Sequence, residues 1–157
     1  FELSNEPRVA VIVNADDLGY SEACDEATFL LIAQGAVTSA SLLVNMQNSR
    51  KAVQRCLQIG FRAGLHLNLT EGKPLGDKGG SLVNALDSSL ERLHSIQSKE
   101  ATIAKDEDLY EEISRQFEWF VREFNRLPTH IDGHNHVHMV PGVAKILVVV
   151  MEQYGCY

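Results

Sequence analysis

The sequence has few of the residues that stabilise disulfide-rich domains or bind nucleic acid. Only three of its 157 residues are cysteine, Cys24, Cys56 and Cys156, and they lie far apart without metal-ligand spacing. An odd number of separated cysteines favours reduced thiols in a cytoplasmic protein over a disulfide framework. The 14 basic and 21 acidic residues give a formal net charge of −7, which argues against nucleic acid and anionic membranes as partners.

Long apolar segments are also missing. No run reaches the roughly twenty residues of a membrane span, and the densest one, residues 146–151, lies in a helical pattern. No signal peptide is visible, although the chain starts at Phe1 rather than Met. With 45% hydrophobic and 22% charged residues, the composition is typical of a soluble globular protein. We therefore expect one domain over residues 1–157.

Strand patterns recur along the chain. The apolar run VAVIVN (9–14) predicts a strand covered on both faces, TSASLLVN (38–45) a second strand and AGLHLNLT (63–70) a third. A fourth is expected around THIDGH (129–134), which follows Pro128. A glycine-rich loop is expected after the third strand, with Gly72, Gly76, Gly79 and Gly80.

Helix patterns separate the strands. Ser21 is placed to cap a helix over roughly residues 22–34, and Asn48 to cap a second helix with Val53 and Leu57 on one face. The longest helix is expected over 106–125, with a last helix starting at Pro141. The core stripe of the longest helix consists of Leu109, Ile113, Phe117, Phe120 and Phe124.

Four strand–helix units in alternation predict an α/β fold with a parallel sheet, either doubly wound or barrel-like. A closed βα barrel of the TIM type takes about 250 residues. The 157 residues would therefore form an incomplete barrel of about four units.

Three polar clusters follow predicted strands: NADD (14–17), HLN (66–68) and HIDGHNHVH (130–138). Because the carboxyl ends of parallel strands meet at one rim, we expect the clusters to converge there. While the third segment stays extended, His130, Asp132, His134, His136 and His138 would share a face, and a turn before His138 makes the first three matter most. One carboxylate with two imidazoles is a common open metal site.

Each cluster also has a structural interpretation. Asp16 and Asp17 could cap the following turn, and His66 alone could be a hydrogen-bonded core histidine. His94 is interpreted as a surface residue. Several half-buried imidazoles in one segment are harder to explain, since each unpaired buried polar group costs about 1–3 kcal/mol. Taken together, the clusters favour a metal site.

Three segments, NADDLG, GLHLNLTEGKPL and PTHIDGHNHVHMVPG, resemble in order and spacing the YdjC-like carbohydrate deacetylases, the group that contains the chitooligosaccharide deacetylases. The resemblance extends from about Val9 to the end of the chain, with Leu18 where the family usually has Phe. It implies a metal-dependent hydrolase that removes N-acetyl groups from amino sugars on a βα-barrel-like fold. Family members generally continue for roughly another hundred residues, so the resemblance implies that this domain is the N-terminal portion of such a barrel.

The resemblance also implies roles for individual residues. Asp17, His66 and His134 match the metal ligands, and Asp16 matches the general base that takes a proton as metal-bound water attacks the amide. The family implies Mg²⁺, whereas two imidazoles and a carboxylate suit Zn²⁺. Residues expected to support the ligands or contact the sugar are Asn68, Asp132, His136 and His138.

Two other functions stay open at this point. One is a different barrel metallohydrolase, an amidohydrolase or phosphoesterase. The other is a truncated form that binds metal or a partner without turnover. Open sheet edges would also favour association into a homodimer.

Overall fold

The computed structural model describes residues 9–76 and 106–156, and in this part of the chain four parallel strands form one sheet in the order β1-β2-β3-β4. Each strand is parallel to its neighbour, and within the described ranges the sheet is open, with β1 and β4 at its edges. The α/β fold with a parallel, barrel-like but unclosed sheet is thus confirmed. The strands are β1 (Asn14–Leu18), β2 (Ser39–Leu42), β3 (Gly64–Leu67) and β4 (Ile131–Gly133).

Helices follow the strands as the alternation predicts. They are α1 (Glu22–Ala33), α2 (Ser49–Ile59), α3 (Asp106–Phe124) and α4 (Pro141–Gln153), with a short 3-10 helix (His134–Met139) before α4. The Ser21 side chain accepts a hydrogen bond from the Cys24 N–H, which confirms the predicted cap of α1. His94, Gly79 and Gly80 lie outside the described residues. No helix within 9–76 and 106–156 combines the length and apolar character needed to cross a membrane.

The predicted stripe of α3 is the centre of the core. Its five apolar residues are all buried, and they pack with the helix-facing side of the sheet. Two polar residues on the same face, Glu112 and Gln116, are buried as well. The apolar periodicity of α3 did not predict that these two side chains would be buried.

The first strand begins later than predicted. Val9, Val11 and Ile12 are between 70% and 84% exposed, so the expected strand over 9–14, covered on both faces, is wrong. Pairing with β2 reaches back only to Val13, whose carbonyl accepts hydrogen bonds from the N–H groups of Thr38 and Ser39. In the described part of the chain, these apolar residues have no covering layer.

The second helix also differs in detail. Asn48 precedes α2, but its side chain makes no capping bond, because its amide donates to Asp25 instead. Val53 is buried as predicted, together with Ala52 and Cys56, whereas Leu57 is 53% exposed. The buried face of α2 therefore follows positions 52, 53 and 56, and Leu57 lies at its solvent margin.

Asp25 connects the end of β1 to both helices that follow it. One carboxylate oxygen accepts the N–H of Gly19 at 2.6 Å, and the other accepts the Asn48 amide. Gly19 itself has a φ of +91°, and an added Cβ would lie 3.0 Å from the Leu43 carbonyl oxygen. Burial raises the pKa of Asp25, although both hydrogen bonds act in the opposite direction.

We expect Asp25→Ala to lower the free energy of unfolding by more than about 2 kcal/mol, because it leaves two buried donors without an acceptor. Urea denaturation monitored by circular dichroism would measure the change. The matched control is Glu26→Ala, which removes the same charge from the exposed side of α1 and should shift stability by no more than about 0.5 kcal/mol. Equal unfolding midpoints for the two variants would contradict the role of Asp25.

Candidate metal centre

A bulge at the end of β1 separates the two adjacent aspartates. The register with β2 shifts between Ala15 and Leu18, and Asp17 has a φ of +62°. The left-handed region is uncommon for residues other than glycine, although Asp is one of those that adopt it. The Asp16 carboxylate accepts a hydrogen bond from the Asn14 amide at 2.7 Å, whereas Asp17 faces the two histidines described next. The two neighbouring carboxylates thus contact different partners.

Asp17, His66 and His134 come together although they are far apart in the chain. Asp17 Oδ1 lies 3.3 Å from Nε2 of His66 and 2.8 Å from Nδ1 of His134. One ligand atom from each of the three residues lies within 4.8 Å of the others. Both imidazoles are buried, while the Asp17 side chain is 44% exposed. Three potential ligands with one open side match the arrangement of a metal site that keeps a position for water or substrate.

His66 is held from its other nitrogen. Its Nδ1 lies 2.7 Å from Asp132 Oδ1, directly across the β3–β4 pair, and Ser41 Oγ donates to Asp132 Oδ2 at 2.9 Å. Burial lowers the pKa of His66, but the hydrogen bond and charge of Asp132, with the charges of Asp16 and Asp17, raise it overall. Burial raises the pKa of Asp132, yet the hydrogen bond and charge of His66 bring it below its usual value.

A second set of potential metal ligands also contains His66. Asp16, His66 and Asp132 also place one ligand atom each within 4.8 Å of one another. The short contact between His66 Nδ1 and Asp132 already occupies that nitrogen. The group around Asp17 has two imidazoles and leaves Nε2 of His66 facing the open side, so it is the better candidate for a cation.

The histidine-rich segment leaves the extended conformation earlier than predicted. A 3-10 helix begins at His134, and Asn135 and His136 have φ values of +51° and +58°. The alternation of side chains therefore ends at Gly133. His130 belongs to neither set of potential metal ligands, because its ring lies over Gly64, where an added Cβ would meet it at 2.5 Å.

The remaining predicted residues lie around the centre rather than in it. His138 packs on Gly133, where an added Cβ would lie 2.6 Å from its Nδ1, and His136 is exposed with its ring centroid 6.2 Å from that of His138. The buried Asn68 accepts the N–H groups of Thr70 and Glu71. It also donates to the Glu71 carbonyl, so its side chain shapes the turn after β3.

Helix α3 holds the loop after β3 through hydrogen bonds of two side chains. The Gln116 amide donates to the Asn68 carbonyl at 2.6 Å, and its oxygen accepts the Asn68 N–H at 3.1 Å. Glu112 accepts the N–H groups of Leu75 and Gly76, both at 2.8 Å. Burial raises the pKa of Glu112, with these hydrogen bonds acting against it. The two buried polar residues of α3 therefore fix the loop that borders the centre.

Sequence reasoning missed three further residues near the centre, Ser41, Glu71 and Tyr20. Ser41 is a buried hydroxyl in β2, between two buried apolar residues, which was an available signal. Glu71 lies in the loop after β3, with Oε1 3.4 Å from His134 Nε2. The charge of Glu71 and its hydrogen bond raise the pKa of the Tyr20 hydroxyl. Neither Glu71 nor Tyr20 lies in a periodic element, so no pattern indicated them.

A family model described as "YdjC-like protein" matches residues 10–157. The chain belongs to the YdjC-like family. The YdjC-like chain is 37% identical to a "Carbohydrate deacetylase" from Homo sapiens, over 96% of its own length and 48% of that protein. It is also 37% identical to a "Chitooligosaccharide deacetylase" from Serratia marcescens, over 92% of its length and 56% of that protein.

A solved structure has a similar fold. It is the crystal structure of a proposed cellobiose-phosphate cleavage protein from Enterococcus faecalis, with a TM-score of 0.74 and 25% identity over 92% of this chain and 56% of that one. The predicted family resemblance is therefore confirmed. The YdjC-like chain spans about half the length of the relatives it matches.

We expect Gly133→Ala to destabilise the YdjC-like chain by about 1–3 kcal/mol, as overpacking does. The added Cβ would lie 2.6 Å from His138 Nδ1 and 3.0 Å from the His138 backbone nitrogen, so the backbone itself must move. Thermal unfolding would measure the loss. Gly142→Ala is the control, since an added Cβ there meets nothing within 4 Å. An unchanged melting temperature for Gly133→Ala would contradict the close packing of His138.

The His66–Asp132 pair predicts a pH-dependent stability in the metal-free protein. The raised pKa of His66 stabilises the fold below about pH 6.5, and this contribution is lost as pH rises through the folded-state pKa. The lowered pKa of Asp132 contributes above about pH 4 and is lost as pH falls through its folded-state value. Asp132→Asn should therefore cost about 1.5–3 kcal/mol near pH 5.5 and clearly less near pH 8.5.

Urea denaturation in EDTA at the two pH values would test this. Glu26→Ala, which removes an exposed carboxylate elsewhere, serves as the control. A cost for Asp132→Asn that does not change between the two pH values would show that the charged pair does not form.

Proposed function

We propose that this chain carries the metal-binding part of a deacetylase that hydrolyses N-acetyl groups of amino-sugar oligosaccharides. The observation that carries the proposal is the meeting of Asp17, His66 and His134 with the exposed Asp16 beside them. The relatives named carbohydrate deacetylase and chitooligosaccharide deacetylase support this substrate class.

The side chains at the centre fit a divalent cation. Asp17, His66 and His134 would hold it, and two imidazoles with one carboxylate suit Zn²⁺, while the family resemblance implies Mg²⁺. When bound, such an ion polarises the amide carbonyl and lowers the pKa of water. The open side next to Asp17 leaves room for substrate.

Asp16 is the proposed general base. Its carboxylate is exposed at the rim, and the Asn14 amide holds one of its oxygens at 2.7 Å. Asn14 also donates to Ser41 Oγ at 3.1 Å, so the base is tied to the same network that supports Asp132. A carboxylate placed this way can take a proton from water as it attacks the acetamide carbon. Asp132 keeps the His66 ring in place, and His136 and His138 remain candidates for sugar contacts.

The domain would be the first part of a barrel that works in the cytoplasm. The free thiols of Cys24, Cys56 and Cys156 support a reducing compartment. The β1 edge and the exposed apolar residues before it would be covered by further strands, either from more of the same chain or from a second copy.

Acetate release from N-acetylglucosamine oligomers, with Zn²⁺ or Mg²⁺ added, tests the proposal. Asp16→Asn should lower the rate by about 10²–10⁴-fold, the usual contribution of a general base, while metal binding persists. His134→Ala should lose both acetate release and metal binding, and Glu26→Ala should keep both. Phosphate release from a phosphoester in place of acetate would favour the rival metallohydrolase, and an unaltered chain that binds no metal would refute the centre.

A further inference from the structure

We propose that Glu71 is a positioning residue that holds Nε2 of His134, so that Nδ1 of this ring is the metal ligand. The inference rests on the metal centre of the proposed function. It assigns one nitrogen of each histidine to the metal, and it gives a role to a carboxylate outside the ligand set.

The first observation is a buried nitrogen that lacks a partner. Nε2 of His134 makes no hydrogen bond with any residue in 9–76 or 106–156. The carboxylate next to it belongs to Glu71, whose Oε1 lies 3.4 Å away. The other nitrogen, Nδ1, lies 2.8 Å from Asp17 Oδ1. The ring therefore presents Nδ1 to the centre and Nε2 to Glu71.

The second histidine shows the same relation with its nitrogens exchanged. His66 presents Nε2 to Asp17 and has Nδ1 held by Asp132 at 2.7 Å. Each imidazole thus has a carboxylate at the nitrogen that points away from Asp17. A neutral imidazole that gives one lone pair to a metal carries its proton on the other nitrogen, and an acceptor there fixes the ring orientation.

The backbone of Glu71 is fixed although its side chain is 40% exposed. Asn68 accepts its N–H and donates to its carbonyl, both at 3.0 Å. Gly72 follows with a φ of +76°, and an added Cβ would lie 2.7 Å from the Asn45 carbonyl oxygen. Asn135, next to His134, donates to Thr70 Oγ1 at 2.9 Å. The loop and the histidine segment are therefore tied together one residue away from each member of the pair.

Tyr20 lies near the ring of His134 and is influenced by the same carboxylate. Glu71 raises the pKa of the Tyr20 hydroxyl through its charge and a hydrogen bond, and the Tyr20 ring centroid lies 6.4 Å from that of His134. Glu71 can thus accept from Tyr20 and His134 together. Its carboxylate lies at Nε2 of the His134 ring, whereas Asp17 lies at Nδ1, and this is the place of a support and not of a ligand.

Zinc affinity of three variants tests the inference, measured by competition with a chelating dye. Glu71→Ala should raise the Zn²⁺ dissociation constant about 10-fold or more, which is the loss of affinity found when such supports are removed. Glu71→Gln keeps an acceptor for the Nε2 proton and should lie clearly closer to the unaltered chain. Glu26→Ala removes an exposed carboxylate with no contact to the centre and should leave affinity unchanged.

A second readout identifies the bound nitrogen. In the zinc-loaded chain with ¹⁵N-labelled histidine, long-range ¹⁵N–¹H spectra should show His134 bound through Nδ1 and His66 through Nε2. Glu71→Ala should broaden or lose the Nε2–H signal of His134, and a circular dichroism spectrum unchanged from that of the unaltered chain would establish that the variant is folded.

Two results would overturn the inference while the metal centre stands: zinc bound by Glu71→Ala as tightly as by the unaltered chain, or His134 bound through Nε2. Equal losses of zinc affinity for Glu71→Gln and Glu71→Ala would also overturn it. Such a result would indicate that Glu71 acts through its charge or as a metal ligand, and not through a hydrogen bond to His134. Failure of zinc to bind the unaltered chain would refute the centre itself, and the inference with it.

Discussion

The buried imidazole of His66 has a carboxylate at each nitrogen, and the arrangement of the candidate site depends on this ring. Asp132 reaches it from the neighbouring strand β4, and Asp17 from β1, two strands away on the other side. The ring thus joins the two edges of the sheet across β2, where Ser41 completes the contact with Asp132. Since a buried charge is tolerated only when it is paired, the position of this ring constrains both carboxylates.

Around this ring, several residues of the site and its border lie in irregular backbone that regular elements hold. Asp17, Asn135 and His136 all have positive φ, in conformations that residues other than glycine seldom adopt. Gln116 and Glu112 hold the loop after β3 from helix α3, in positions that a purely apolar stripe would have filled with hydrophobic side chains. The core of this protein is therefore partly polar where it faces the site.

The sequence predicted the order of strands and helices because apolar periodicity reports burial directly. The rule that parallel strands end at one rim predicted that the three polar clusters would meet, whereas the choice of Asp17, His66 and His134 among them was implied by the family resemblance. Other features depend on tertiary contacts that no period encodes. The apolar run before Asn14 indicated a segment that packs against other residues, but it did not show whether the described chain contains those residues. Asp132 supports His66 through strand register, and Glu71 reaches His134 from a loop.

The bulge in β1 has a consequence for how this segment can change in length. Asp16 and Asp17 point to different partners only because one extra residue is accommodated between the pairing of Ala15 and that of Leu18. Deleting or inserting a single residue in this strand would exchange the two carboxylates or turn both away, even with every side chain retained. Among related sequences, insertions and deletions should therefore occur before Asn14 and not between Asn14 and Leu18.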